Sequence, residues 1–307
     1  MLKTKWTLLL GCLTLLVSVI LWAGTSFAWF TDSITNNGNS IVASENYLTS
    51  VGTEEAIKDA VAAGENVSLT ANITLNQKLE VTQDLTIIGN GNTISTASGA
   101  DRVLDVQGNT GAITIRLFNV NLEGPTEGTY TRGISFYNNS NPITLIMDGC
   151  TLSANYYALN IASANKNVKL TIRNSTLTGW CAFQTHSPCA DVTFENCTLI
   201  GVNDKPYDAD SWNDFATVVI NGYSDGNPDP DGAHDYTLTF KGCEIYATSQ
   251  TTGNRQTLFS VRASNTTLTL EGCSFFIDDK QITSAQAQER YIEVNDGVEN
   301  FELSIQD

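Results

Sequence analysis

The chain has 307 residues, with 16 Lys and Arg against 33 Asp and Glu, a formal net charge of −17. So few cations cannot neutralise a phosphate backbone, which makes nucleic acid and anionic lipid surfaces poor partners. Hydrophobic residues form 41% of the chain, enough to bury a core, and this argues against wholesale disorder.

The first 28 residues have the layout of a secretory signal peptide. Lys3 and Lys5 precede an uncharged run over residues 6–24, and the small-residue segment 25–28 ends in Ala28. This order predicts export, with cleavage after Ala28. The alternative is an uncleaved membrane anchor, since a run of 19 residues is close to the ~20 that span a bilayer.

The cleavage region is similar to the SipW-dependent signal peptides of Gram-positive bacteria. Residues 24–33 read GTSFAWFTDS, and Gly38 and Asn39 follow. The family pattern is G-T, then A-x-F-x-D, then G-N; its later A-G-T-L segment is replaced here by ASEN at residues 43–46. The family includes biofilm-matrix fibre proteins, so the resemblance implies a secreted, cell-surface or matrix protein.

After a mature N-terminal segment over residues 29–52, the sequence predicts one helix. Residues 53–63 read TEEAIKDAVAA, and Gly64 ends the run. Ala56, Ile57, Ala60 and Val61 share one face of this helix. That apolar face needs a covering partner.

From residue 85 onward one phrase recurs: an alternating strand, then Asn or Gly, a small residue, a polar residue and a large apolar one. Its copies end at Ile94, Leu122, Leu152, Leu177, Leu199, Ile245 and Phe275. A second strand lies between copies. Short strands in this arrangement predict an all-β parallel β-helix over residues 53–307, with the helix capping its open first turn.

The phrases align into columns that stack from turn to turn. Two columns are predicted to point inward: Val120, Cys150, Ser175, Cys197, Cys243 and Cys273, and the large apolar residues two places later. The turn column, where a left-handed backbone is expected, is Asn119, Gly149, Asn174, Asn196, Gly242 and Gly272. A column of alternating charge is formed by Asp148, Arg173, Glu195, Lys241 and Glu271.

The stretch from Glu54 to Ile94, which holds the predicted helix and the strands after it, and the repeats through Phe275 resemble the pectate-lyase-like superfamily. Within it, the chain is most similar to adhesive domains of bacterial surface proteins. The resemblance implies a right-handed parallel β-helix. It implies no particular activity, because fold and function are separable.

Six cysteines follow the signal segment, and four of them lie in the inward column. We interpret these four as small buried hydrophobes. Cys181 and Cys189 flank a short corner, and they are the pair predicted to form a disulfide.

The 46-residue interval between Leu199 and Ile245 carries two acidic insertions. Residues predicted to bind ligand are Asp208, Asp210, Trp212, Asp214 and Tyr223. Asn227, Asp229, Asp231 and Asp235 have the oxygen spacing of a calcium loop but lack its closing Glu. Solvated acidic loops without metal are the alternative to a calcium site.

No nucleophile elbow or phosphate-binding loop is present, and the chain has only two histidines. The sequence therefore predicts a non-catalytic adhesion module that binds an extracellular polysaccharide or surface glycan. One alternative is a polysaccharide lyase or glycoside hydrolase acting on acidic polysaccharide, with acids of the insertions and Arg255 or Arg262. A passive structural matrix protein is the other.

The calcium hypothesis predicts calorimetric uptake of calcium by the wild-type chain. Because Asp229 and Asp231 supply carboxylate ligands in this hypothesis, replacing both by alanine should abolish the uptake. An unchanged titration would remove calcium from the description of the protein.

Overall fold

The computed structural model describes residues 48–97, 99–128, 130–162, 165, 168–187, 191–202, 216–221, 235–248 and 256–307. The chain divides into two compact units, Met1–Asn46 and Tyr47–Asp307. All described residues belong to the second unit. The predicted signal peptide and the boundary at residue 28 lie outside them.

Each turn of the described chain contributes a strand to each of three stacked sheets. The first sheet contains β1 (Thr49–Val51), β2 (Val67–Leu69), β5 (Leu85–Ile88), β8 (Ile113–Phe118), β11 (Ile143–Asp148), β14 (Val168–Arg173), β17 (Asp191–Glu195), β20 (Tyr236–Lys241), β23 (Thr266–Glu271) and β27 (Phe301–Gln306). The second contains β3 (Ile73–Leu75), β6 (Thr93–Thr96), β9 (Asn121–Glu123), β12 (Thr151–Ser153), β15 (Thr176–Gly179), β18 (Thr198–Val202), β21 (Glu244–Thr248), β24 (Ser274–Ile277) and β25 (Lys280–Ile282). The third contains β4 (Leu79–Val81), β7 (Arg102–Gln107), β10 (Arg132–Tyr137), β13 (Tyr157–Ile161), β16 (Cys181–Thr185), β19 (Val218–Ile220), β22 (Phe259–Val261) and β26 (Ile292–Val294).

Strands of consecutive turns pair in parallel, as β8, β11 and β14 illustrate. The final hairpin of β24 and β25 is antiparallel. Along the paired strands, alternate residues are buried, as in Ile143, Leu145 and Met147 of β11. The predicted all-β parallel β-helix is confirmed.

Two helices accompany the sheets in the described part of the chain. The first, α1 (Glu54–Ala62), begins where the Thr53 side chain accepts a hydrogen bond from the Ala56 N–H at 3.2 Å, and it buries Ile57, Ala60 and Val61. This helix was predicted. The second, α2 (Ser284–Arg290), was not predicted, because it buries only Ala287 and so has no apolar stripe to recognise.

The turn column adopts the expected left-handed backbone. The φ angles are 47° at Asn119, 64° at Gly149, 48° at Asn174, 53° at Asn196, 57° at Gly242 and 59° at Gly272. Glycine adopts this conformation without a steric penalty, and asparagine tolerates it better than other residues. These turns let the chain pass from the first sheet to the second at the same place on each turn.

The inward position after the turn is occupied by small side chains. Cys150, Cys197 and Cys243 are each 1% exposed, and Cys273 on the last of these turns is half-buried. The Cys150 thiol donates to the Leu117 carbonyl oxygen at 3.3 Å. The predicted burial is confirmed for three cysteines and is partial for the fourth.

Asparagines line the corner that joins the third sheet to the first. Asn109, Asn139 and Asn165 are all buried. Asn139 Nδ2 donates to Asn165 Oδ1 at 2.7 Å and to the Val106 carbonyl oxygen at 2.9 Å. Side-chain amides therefore satisfy one another and the backbone where the chain bends.

The alternating charge column lies on the first sheet with each acid beside a base. The strand register places Arg173 between Asp148 and Glu195, and Lys241 between Glu195 and Glu271. Arg173 Nε lies 3.1 Å from Glu195 Oε2, and Lys241 Nζ lies 3.0 Å from Glu271 Oε2. The column opposes any register that would place like charges together.

This column predicts the effect of a charge reversal. Lys241→Glu would place three carboxylates on consecutive turns, and we expect the free energy of unfolding in urea to fall by about 1 kcal/mol. Lys241→Gln, which removes the charge without reversing it, should cost less than the reversal. Equal stability of Lys241→Glu and wild type would contradict a register-setting role.

Candidate functional site

A file of buried polar residues runs along the outer face of the third sheet. Register places Asp105, Ser135, Asn160 and Gln184 beside one another on β7, β10, β13 and β16, and we call them the outer polar file. Each is at most 1% exposed. Their strand neighbours Leu104, Ile134, Leu159 and Phe183 belong to the apolar core. Strand alternation therefore directs the file away from the core.

Hydrogen bonds connect the file across turns. Asn160 Nδ2 donates to Gln184 Oε1 at 2.6 Å, and Arg132 Nε donates to Asn160 Oδ1 at 3.0 Å. Arg102 Nη1 donates to Asp105 Oδ1 at 2.9 Å, and Lys78 donates to the other oxygen of the same carboxylate. Asp105 is thus held by two cations, one at each oxygen.

The two arginines beside the file have different electrostatic surroundings. Burial disfavours the charge of Arg102, but hydrogen bonds and ion pairs with Asp101 and Asp105 raise its pKa overall. Burial, followed by the nearby charge of Arg102, lowers the pKa of Arg132. No carboxylate of the described residues forms an ion pair with Arg132. Arg132 is therefore a partly buried cation without an ion pair among the described residues, although the charges of Asp101 and Asp105 lie near enough to oppose the lowering of its pKa.

A cluster of aromatic rings lies beside Arg132. Tyr130, Tyr156, Tyr157 and Trp180 form what we call the aromatic cluster. The ring of Tyr156 lies 5.3 Å from that of Tyr130, 4.4 Å from that of Tyr157 and 4.4 Å from that of Trp180. The guanidinium carbon of Arg132 is 5.8 Å from the centre of the Tyr157 ring. Cation–π attraction and tilted or edge-on ring contacts hold these groups together.

Tyr130 presents the exposed edge of the cluster to solvent. Its side chain is 54% exposed, and its φ angle is 60°. A large side chain rarely adopts a positive φ, so this conformation is strained. The Tyr130 carbonyl oxygen accepts a hydrogen bond from Arg132 Nη1 at 2.5 Å, which links the strained turn to the arginine.

Two hydroxyls beside Arg132 add further polar groups. Ser135 Oγ and Thr131 Oγ1 are buried and have no hydrogen-bond partner within the described residues. Buried hydroxyls are usually bonded to protein or water, so these two are exceptions. The Arg132 guanidinium and the exposed Tyr130 ring together can bind a polar molecule that has both apolar and hydrogen-bonding faces.

Topology relates this surface to the two acidic insertions. The cluster residues Tyr130, Tyr156 and Trp180 all occupy connections from the second sheet to the third. The first insertion occupies that same connection one turn later, between β18 and β19. Ala216, the first described residue after it, packs in one apolar group with Trp180 and Tyr156.

Most predicted site residues lie outside the described part of the chain. This applies to Asp208, Asp210, Trp212, Asp214, Tyr223, Asn227, Asp229, Asp231 and Cys189. Asp235 is described; it is exposed and directly precedes β20. Cys181 is buried, and its thiol donates to the Phe183 carbonyl oxygen at 3.1 Å. In the described ranges, no three His, Cys, Asp or Glu residues converge where they could hold a metal ion.

The sequence analysis missed the outer polar file and the aromatic cluster. A signal for the file is visible in retrospect: the second recurring strand reads VLDV, GISF, ALNI and AFQT, with a polar residue always third. Alternation alone would suggest an exposed position there. Burial of these residues depends on side chains supplied by other turns.

No known protein-family model matches this chain, and no curated protein sequence is significantly similar to it. Among the described residues, neither helix has the length and apolar character needed to cross a bilayer. The assignment of this surface therefore depends on its own geometry and chemistry.

The ion pairs of Asp105 predict a large effect of its removal. Asp105→Ala would leave Lys78 without its main carboxylate and Arg102 with only Asp101, so we expect the free energy of unfolding to fall by about 3 kcal/mol. Asp101, whose side chain is 53% exposed, provides the control, because its alanine variant should cost less than about 1 kcal/mol. Urea unfolding measures both, and equal losses would contradict the central position of Asp105.

Proposed function

We propose that this protein is an exported β-helix module of the cell surface or extracellular matrix that binds glycan without catalysis. On this proposal it belongs to the adhesive type within the pectate-lyase-like superfamily. The observation that carries the proposal is the exposed Tyr130 ring, which meets the buried Tyr156 ring at a tilted angle beside Arg132 and the outer polar file.

Sugars match this combination of groups. A pyranose ring has apolar C–H faces that pack against aromatic rings and equatorial hydroxyls that exchange hydrogen bonds with amides and guanidinium groups. Tyr130 offers the ring and Arg132 offers the guanidinium, which the buried amide of Asn160 holds in place. The long outer face of a parallel sheet offers the same strand spacing over several sugar units.

Arg132 favours a glycan that bears an anionic group. A desolvated guanidinium gains most from a carboxylate or sulfate, because the charge-assisted hydrogen bonds replace lost hydration. The rest of the protein is strongly acidic, with a net charge of −17. Lys78 and Arg102 are paired with Asp105 and Asp101, so Arg132 is the cation of this group that would attract such an anion.

A polysaccharide lyase is the second candidate, and the lowered pKa of Arg132 favours it. An arginine that loses its proton more easily is a better general base for abstracting a proton beside a uronic carboxylate. Against this, both oxygens of Asp105 are engaged with cations, and no metal site is formed by the described acids. Binding without turnover is therefore the function we favour.

The binding proposal predicts graded losses of affinity. A glycan array with the chain from residue 29 onward should identify a retained glycan with an acidic group. Tyr130→Ala should then weaken binding by about 2- to 12-fold, since one aromatic contact is lost. Arg132→Gln should weaken it about 10-fold or more, because charge-assisted hydrogen bonds are lost.

Tyr137 provides the matched control for this experiment. It is 48% exposed on the same strand as Arg132, and Tyr137→Ala should leave affinity unchanged. Incubation with uronic-acid polymers separates the second candidate, because unsaturated products that disappear in Arg132→Gln would replace binding by lyase activity. If the protein neither retains a glycan nor releases unsaturated products, a passive matrix role remains.

A further inference from the structure

Three thiols follow one another along the inside of the β-helix. Cys197, Cys243 and Cys273 occupy the same position on consecutive turns. The register of the flanking strands aligns Cys197 with Cys243, because Glu195 pairs with Lys241 and Thr198 pairs with Glu244. It aligns Cys243 with Cys273 in the same way, because Lys241 pairs with Glu271 and Glu244 pairs with Ser274. We call these three residues the thiol file.

The thiols of the file influence one another. Cys243 lies between the other two, and the contact with Cys197 raises the pKa of Cys243 to about 12. The same contact lowers the pKa of Cys197, because the Cys243 thiol donates to it. Contact with Cys243 also raises the pKa of Cys273. Each side chain is therefore within interaction distance of its neighbour.

The two outer thiols differ in access. Cys197 and Cys243 are buried, whereas Cys273 is half-buried beside the exposed turn residue Gly272. A reagent can therefore reach the file from the Cys273 end. Of the two strands that flank Cys273, β23 is paired in parallel with β20 and β27, whereas β24 has only the short antiparallel β25 on its far side.

The spacing of a parallel sheet is compatible with a bond between adjacent turns. Neighbouring strands lie about 4.8 Å apart, and disulfides join residues whose Cα atoms are about 4.4 to 6.8 Å apart. The Cβ atoms must approach to about 3.8 Å, about 1 Å closer than straight stacking provides. The adjustment falls on the β24 side of Cys273, where a parallel strand lies on one side only.

Cys150 provides an internal comparison. It occupies the same column, but Val120 and Ser175 lie at the positions on either side of it. Its N–H donates to Ser175 Oγ at 3.1 Å. Cys150 thus has the same burial and the same backbone setting without a neighbouring thiol. Ser175 also indicates that serine is accepted in this column.

We propose that Cys243 and Cys273 are an oxidation site, and that a low-molecular-weight disulfide converts them to an inter-turn disulfide. Because contact with Cys243 raises the pKa of Cys273, the Cys273 thiolate is scarce near neutral pH and becomes more abundant as the pH rises. This thiolate attacks one sulfur of the reagent, forms a mixed disulfide and releases the first thiol. The Cys243 thiolate then attacks the Cys273 sulfur and releases the second thiol. Two cysteine protons and two electrons leave the protein, and one reagent disulfide is reduced to two thiols.

Such a bond would join the last turns of the β-helix. It closes the segment between residues 243 and 273, which includes β21, β22 and β23. A covalent closure restricts the unfolded chain and stabilises the folded one. An exported protein meets the oxidising conditions in which disulfides persist, so the site suits the predicted destination.

Peptide mapping of the full chain after incubation with oxidised glutathione tests this site. We expect a linked pair of peptides containing Cys243 and Cys273, with both glutathiones absent from the product. The linked pair should be lost in Cys273→Ser and retained in Cys150→Ser. Oxidation should also raise the thermal midpoint of wild type and Cys150→Ser, and dithiothreitol should reverse that shift.

Other results would overturn the proposal. These are thiols that stay unlinked in folded wild-type protein, a link that joins Cys243 to Cys197, or a link that persists in Cys273→Ser. The predicted Cys181–Cys189 disulfide would link a different pair of peptides, so the peptide map distinguishes it from a link between Cys243 and Cys273. Glycan binding is measured separately, so failure of either proposal leaves the other standing.

Discussion

In-register stacking of parallel strands is the constraint on which the rest of this structure depends. Strands of consecutive turns lie about 4.8 Å apart, so each side chain contacts the residue at the same position one turn away. The stacked fold is therefore stable only if the side chains at the same position on consecutive turns pack well or pair with one another. Leucine packs on leucine in the core, Asn139 bonds to Asn165 at the corner, and Arg173 pairs with Glu195 on the surface.

The outer polar file obeys the same constraint but has no evident structural benefit. Buried charges such as Asp105 contribute little stability compared with apolar residues of similar size, even when they are fully paired. The apolar interior already holds the third sheet together. On the proposal of glycan binding, a ligand is the reason for a buried paired carboxylate and an arginine without an ion pair beside a strained, exposed tyrosine. This reasoning favours function at the outer face of the third sheet.

The thiol file and the outer polar file use opposite sides of the same architecture. One lies inside the coil beside the last turns of the first sheet, and the other lies outside the third sheet on earlier turns. The two proposals are therefore independent of each other: a disulfide in the thiol file would change how firmly the last turns are held, and Arg132 would contact the bound glycan. A stacked coil allows this separation because each turn contacts only its neighbours.

The sequence by itself determined the period, the inward columns, the left-handed turns and the alternating charges. Each of these depends on local alternation or on a residue type that suits one backbone conformation, so single positions such as Asn119 and Lys241 were sufficient to predict them. The tertiary structure alone decided that Asp105 and Asn160 are buried and that Tyr130, Tyr156 and Trp180 meet. Those residues are separated by about one turn or more of chain, and their environment comes from side chains on other turns. The short helix α2 was also missed, because one buried alanine leaves no periodic pattern to read.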